Sequence, residues 1–246
     1  MTSKPLLFLR VAILSMSCLM LTGCVYLRLL ELKNQFGDFK ENVELNYDQA
    51  TKFILKNPIL LSKDMRWLMK QEPTSRHVEN GVQKWIYWLV KQHPPGTQEE
   101  GDFDVRLGMV FKEELLHEMW FPLRYQEFMS EEVLWSTFAD VKHGNDNEKK
   151  MSTKWTWYTG APDFPTMGEY VRILGSPYTR SEDESTITLT YYYDLKIRSK
   201  ALKPGKHDHT LIFTFDKETS KMMAAKVTLG RLRFDVDTKT GVKIKV

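Results

Sequence analysis

Slid along itself by 104 residues, the chain meets its own pattern without a gap. Pro58 falls on Pro162, Ser62 on Thr166, Pro73 on Pro177, Arg76 on Arg180, Tyr87 on Tyr191, Leu107 on Leu211 and Phe111 on Phe215. Identities are few, so what repeats is the kind of element at each place. In both halves a hydroxyl residue opens a helical stripe, a proline stops it, and strand-like runs follow. Thr166 and Glu169 have capping-box spacing, and Gly175 sits where a helix stop belongs. The expectation is an α+β protein of two similar units, each a short helical segment packed on an antiparallel sheet, joined by a linker helix. Chance similarity between two α+β units is the alternative.

Patterning along the chain places the boundaries. Residues 24–41 carry Leu27, Leu29, Leu30, Leu32 and Phe36 among charges, which suits either a short amphipathic helix or an unordered tether. The first unit spans 42–129. In it Val43–Leu45 and Thr51–Lys56 can pair as a hairpin, and Ser62 is the expected N-cap of a helix with Asp64 in its first turn and Met65, Leu68 and Met69 on one stripe. Strand-like runs follow at Val82–Lys91, Val105–Phe111 and Leu115–Phe121, the last two separated by the turn Lys112–Glu114. Residues 130–150 read as a linker helix opened by Ser130 and stopped by Gly144, then a hydrophilic loop from Asn145 to Lys150. The second unit is 151–246.

Residues 1–23 have the grammar of an export leader: Lys4 and Arg10, then an uncharged apolar run from Val11 to Leu21 that is too short to cross a bilayer. The tetrapeptide Leu21-Thr22-Gly23-Cys24 resembles the lipobox of bacterial lipoproteins. That resemblance implies cleavage after Gly23, acylation of Cys24 (palmitate among the chains), and anchoring to a membrane. Val25, where such lipoproteins carry aspartate for inner-membrane retention, points to the outer membrane, facing the periplasm. Cys18 and Cys24 are the two cysteines, so the exported chain has no disulfide and must be held by its core. With 42% hydrophobic and 12% aromatic residues it has the material for one. The formal charge of +3 falls to +1 once Lys4 and Arg10 leave, which gives no basic footprint for nucleic acid.

A family resemblance covers residues 166–228 and, more loosely, 62–123. The order of helix, Leu174-Gly175-Ser176-Pro177 with Arg180, aromatic strand Leu189–Tyr193, then Leu211–Asp216 and Ala224–Thr228, is similar to the SmpA/OmlA (BamE-like) unit of small outer-membrane lipoproteins. Two such units in tandem resemble the architecture of β-lactamase-inhibitory protein. The resemblance implies a binding role in the cell envelope.

Alternation assigns faces. Ile187, Leu189, Tyr191 and Tyr193 should face the helix; shifted back, so should Trp85, Tyr87 and Leu89, with Met119 and Phe121 beside them. That leaves Ile86, Trp88, Val90 and Trp120, with Ile54 beside them, on the other face, where the second half is polar. Either the amino-terminal segment or the Glu131–Val141 helix covers that face, or it is a surface for a protein partner, since aromatics dominate interface hot spots.

Catalytic signatures are not evident. The histidines are His77, His93, His117, His143, His207 and His209, and His207-Asp208-His209 is the one dense group; it reads as a solvated loop sooner than a metal site. Glu113-Glu114 and Glu131-Glu132 fit a turn and a helix start. No nucleophile elbow or phosphate-cradling glycine loop occurs. The sequence therefore predicts a non-enzymatic, lipid-anchored scaffold or adaptor, without cofactor or metal. Its membrane contact is through Cys24 and its partner is a protein of the envelope. The alternative is a periplasmic inhibitor or ligand-binding protein using the outward sheet faces.

Overall fold

The computed structural model describes residues 25–97, 101–147, 151–158, 160–196 and 207–246; the expected leader (1–23) and Cys24 lie outside the described residues. A helix over residues 25–37 (α1) leads through the short α2 (Phe39–Asn42) into the hairpin β1 (Val43–Asn46) and β2 (Ala50–Leu55). Helix α3 (Ser62–Met69) is followed by β3 (Ser75–Glu79), β4 (Val82–Lys91), β5 (Val105–Lys112) and β6 (Leu115–Pro122). A 3₁₀ turn (Leu123–Glu127) and α4 (Glu131–Phe138) lead to β7 (Asn145–Asn147) and β8 (Ser152–Trp155). Helix α5 (Met167–Leu174) then precedes β9 (Thr179–Glu182), β10 (Thr186–Leu195), β11 (His209–Asp216), β12 (Met222–Leu229), β13 (Leu232–Asp237) and β14 (Gly241–Lys245).

These strands do not make two units. They form one 14-stranded antiparallel sheet in the order β1-β2-β6-β5-β4-β10-β11-β12-β13-β14-β8-β7, with β3 beside β4 and β9 beside β10. This corrects the expected α+β architecture of two units and a linker helix. The physical reason lies in β4 and β10, which are long, β-branched and aromatic. Each is covered on one edge by its short hairpin partner only along its first half, Val82–Ile86 by β3 and Ile187–Thr190 by β9. The remaining half-edge of each is a row of open peptide groups, which invites another strand. The two half-edges take each other: Lys91 pairs with Tyr193, Val90 with Asp194 and Leu89 with Leu195. Two further peptide bonds extend the seam, from Gln92 N–H to the Tyr192 carbonyl and from Lys196 N–H to the Trp88 carbonyl, both 2.9 Å.

One core runs across this seam. Trp85, Tyr87 and Leu89 from β4 and Leu189, Tyr191 and Tyr193 from β10 are each at most 3% exposed and belong to a single cluster with the buried faces of α2, α3 and α5. The helices cross between halves. The carbonyls at the end of α3 are met from the β12–β13 turn: Leu68 accepts from the Arg231 N–H at 2.7 Å and Trp67 from its guanidinium at 2.9 Å. That approach requires Gly230, whose φ is +59° and where a Cβ would stand 2.4 Å from the Leu68 carbonyl oxygen. On α5, Tyr170 stacks on Phe128 of the first half with centroids 4.4 Å apart, and Arg172 pairs with Glu127.

Two local readings also change. The N-cap of α3 is Leu61, not Ser62. Asp64 receives the Leu61 N–H at 2.9 Å and accepts from Nε and Nη2 of Arg28, on α1, at 2.6 Å each. Ser62 instead bonds Glu114, in the β5–β6 turn. The segment expected as a linker is built into the core. Ser130 caps α4 by accepting the Val133 N–H at 3.3 Å, and Phe138 stacks on Phe39 with centroids 5.9 Å apart. The helix ends at Phe138 and a 3₁₀ turn (Val141–His143) follows. The described part of the hydrophilic loop is the edge strand β7.

Candidate functional site

All the described helices put their apolar residues into the core on one side of the sheet: Leu29, Leu32 and Phe36 from α1, Leu68 from α3, Leu134 from α4 and Ile173 from α5. The opposite face carries Ile86, Trp88, Val90 and Trp120, all half-buried. The described α1 and α4 pack on the core side, so the covering expected from the Glu131–Val141 helix is not found there, and the part of the amino-terminal segment before residue 25 lies outside the described residues. What partly shields these side chains is close neighbours on the same face.

The cross-strand register brings them together. Ile86 is opposite Gly108 on β5, and Gly108 is opposite Trp120 on β6. The Trp120 indole occupies the space above the glycine: a Cβ at position 108 would lie 1.8 Å from Cε2 and 2.0 Å from Nε1 of the ring. Gly108 has ordinary strand geometry, so close approach of the ring, not backbone freedom, is what a side chain there would disturb. Two pairs along, on the same face, Trp88 is opposite Arg106. Its ring is covered by two cations, Arg106 at 4.4 Å and Lys196 at 3.3 Å from the centroid, and its Nε1 donates to Asp104 at 2.7 Å. Cations over an indole are attracted by the ring quadrupole and still present charge to a partner.

The seam extends the patch past the predicted four residues. Val90 pairs with Asp194, and the Asp194 carboxylate meets the His207 imidazole at 3.2 Å. His207 stacks on Tyr192 with centroids 4.3 Å apart, and Tyr178 abuts Tyr192 edge-on at 5.0 Å. The alternation that turns Tyr191 and Tyr193 inward turns Tyr192 outward. Tyr178 and His207 reach Tyr192 through the β9–β10 and β10–β11 pairings, and the β4–β10 pairing then sets all three beside Val90, a juxtaposition with no sequence signal.

That geometry also takes apart the dense histidine group. His207 lies with Tyr192 on the helix-free face. Asp208 receives the Leu195 N–H at 3.0 Å and the Gln71 side-chain amide at 2.9 Å. His209 is 1% exposed on the other face, opposite Tyr193. Among the described residues no group of His, Cys, Asp or Glu is arranged to hold a metal ion.

Among the described residues, apolar cavities of 230 and 220 Å³ flank α3 on the other side of the sheet. Beside the smaller, Tyr125, Tyr170 and Tyr193 are held in the neutral form, because burial pushes each hydroxyl up from its ordinary value. A cleft of about 800 Å³ between α4 and α5 holds several carboxylates, yet three are already engaged: Glu127 with Arg172, Asp163 with Lys221 and Glu169 with the Thr166 cap. Glu114, read from the sequence as part of a turn, is in one; its hydrogen bond from Ser62, with a further one from Gln83, lowers its carboxyl below the usual range. Glu131 and Glu132 form the first turn of α4.

No helix among the described residues is long and apolar enough to cross a membrane. Comparison with protein-family models, curated proteins and solved structures returned no match, so the SmpA/OmlA resemblance rests on the quoted motifs alone.

Proposed function

We propose that this chain is a non-enzymatic, lipid-anchored adaptor of the bacterial cell envelope that receives a protein partner on the helix-free face of its sheet. The observation that carries the reading is the aromatic band Trp120, Ile86, Trp88, Val90, Tyr192, which no described helix overlies and which is bordered by Arg106 and Lys196. Large rigid aromatics flanked by guanidinium and ammonium groups have the composition of an interface centre. The motif at Cys24 supports the anchoring: two or more acyl chains give stable attachment where one gives only marginal binding. Held in this way on the outer membrane, the face would meet partners within reach of the periplasmic surface.

Co-isolation from detergent-solubilised envelopes tests this. A hot-spot truncation costs about 2 kcal/mol or more, close to 30-fold in affinity. Trp88→Ala should therefore lose most of the captured partner at unchanged expression, and labelled palmitate should be incorporated unless Cys24 is replaced. Capture undiminished by Trp88→Ala and Trp120→Ala together would sink the assignment of this face.

A further inference from the structure

Beneath α1 lies a receptacle of a different kind. Its 230 Å³ are bounded by α1 (Leu29, Phe36), α3 (Met65, Leu68) and the far end of the sheet (Phe234, Ile244). Protein interiors hold few voids larger than a water molecule, so a space this size walled by hydrocarbon is suited to an apolar guest. On the scale set by a cavity of about 150 Å³ that accepts benzene, it takes about nine carbons. Polar groups sit at one end of α1 and along its flank: Tyr26, two residues after Cys24 in sequence, and Lys33, which is tied to Asp146 at 2.9 Å. Trp155, 2% exposed, forms part of the wall.

From this geometry we infer that the cavity under α1 binds the methyl-end portion of a saturated acyl chain. The lining is mainly hydrocarbon, with the hydroxyls of Tyr26, Ser152 and Thr153 and the ammonium of Lys33 among it, and such a wall suits an alkyl guest. The chain has two conceivable sources, the lipid carried by Cys24 and a free fatty acid or phospholipid of the bilayer. The inference does not depend on the adaptor role, since the cavity and the aromatic band are on opposite faces.

Trp155 supplies the readout. The full chain, lipidated or as Cys24→Ala, is reconstituted in phosphatidylcholine vesicles and titrated with 12-bromododecanoic acid, whose bromine quenches indole emission on contact. Saturable quenching of the Cys24→Ala protein that is lost in its Trp155→Phe and Ile244→Phe derivatives is the expected result. Weaker quenching of the lipidated form identifies its own chain as the occupant; equal quenching of both forms identifies free lipid. Non-saturable quenching that is identical in Ile244→Phe overturns the site, and thermal melting of each variant shows whether it is folded.

Discussion

Replacing Gly108 by alanine places a methyl group inside the ring of Trp120. A Cβ there would stand 1.8, 2.0 and 2.3 Å from three indole atoms, and real Cβ contacts essentially never fall below 3.0 Å. The ring must swing off the strand. Trp side chains bury about 150–250 Å²; with half of that against the strand, roughly 100 Å² returns to water at about 25 cal/mol per Å², a loss of about 2.5 kcal/mol. Removing a strand glycine offsets about 0.5–1 kcal/mol of it. Gly108→Ala is therefore expected to destabilise by about 1.5–2 kcal/mol in urea unfolding followed by circular dichroism. In a Trp120→Ala background nothing clashes, and the same substitution should stabilise by about 0.5 kcal/mol. The sign reversal is the signature. If Gly108→Ala costs the same in both backgrounds, the indole does not lie on the glycine and the description of the outward face is wrong.

Three other outcomes follow from the geometry. Asp64→Ala leaves Arg28 without its bidentate partner and uncaps α3; buried ion pairs broken from one side cost 3–5 kcal/mol, and because Arg28 keeps 16% exposure the expected loss is about 3 kcal/mol in the same unfolding assay. In the β5–β6 turn, Glu113 and Glu114 have φ of +50° and +67°, so Glu113→Gly should raise stability by about 0.5–1 kcal/mol, whereas Glu114→Gly gains the same backbone relief but releases Ser62 and Gln83 and should end below Glu113→Gly in the same assay. The hydrogen bond from Ser62 is the chief reason the Glu114 carboxyl is held below its ordinary value of 4.5. Its stabilisation is thus present above that value and lost as pH falls through the lower folded one. Thermal midpoints measured from neutral to strongly acidic pH should drop on acidification, and less steeply for Glu114→Gln.

Alternation made the core positions of β10 legible, because Thr188 and Thr190 interrupt its apolar run, and the 104-residue shift carried that reading onto β4, whose run Trp85–Val90 is apolar throughout and has no period of its own. The start of α4 was equally plain in Ser130 followed by two glutamates. The N-cap of α3 was not, since Leu61 has no capping side chain and Asp64 performs the role by reaching back. Strand β3 is exposed at every residue and gives no periodicity to read. The architecture escaped for a related reason: the β4–β10 seam consists of peptide hydrogen bonds between half-edges 104 residues apart, and side-chain patterning does not report which open edge finds which. The same pairing brought Tyr192 and His207 up to Val90, so the patch was legible only as far as Trp120, Ile86, Trp88 and Val90.

The account turns on whether a partner sits on the helix-free face. A photo-crosslinking amino acid placed at Ile86 or at Trp120 in living cells, with Trp135 on the exposed side of α4 as the control, reads this directly. One discrete adduct from positions 86 and 120, absent from 135, is the predicted result. Adducts from 135 alone, or none from 86 and 120, would contradict it.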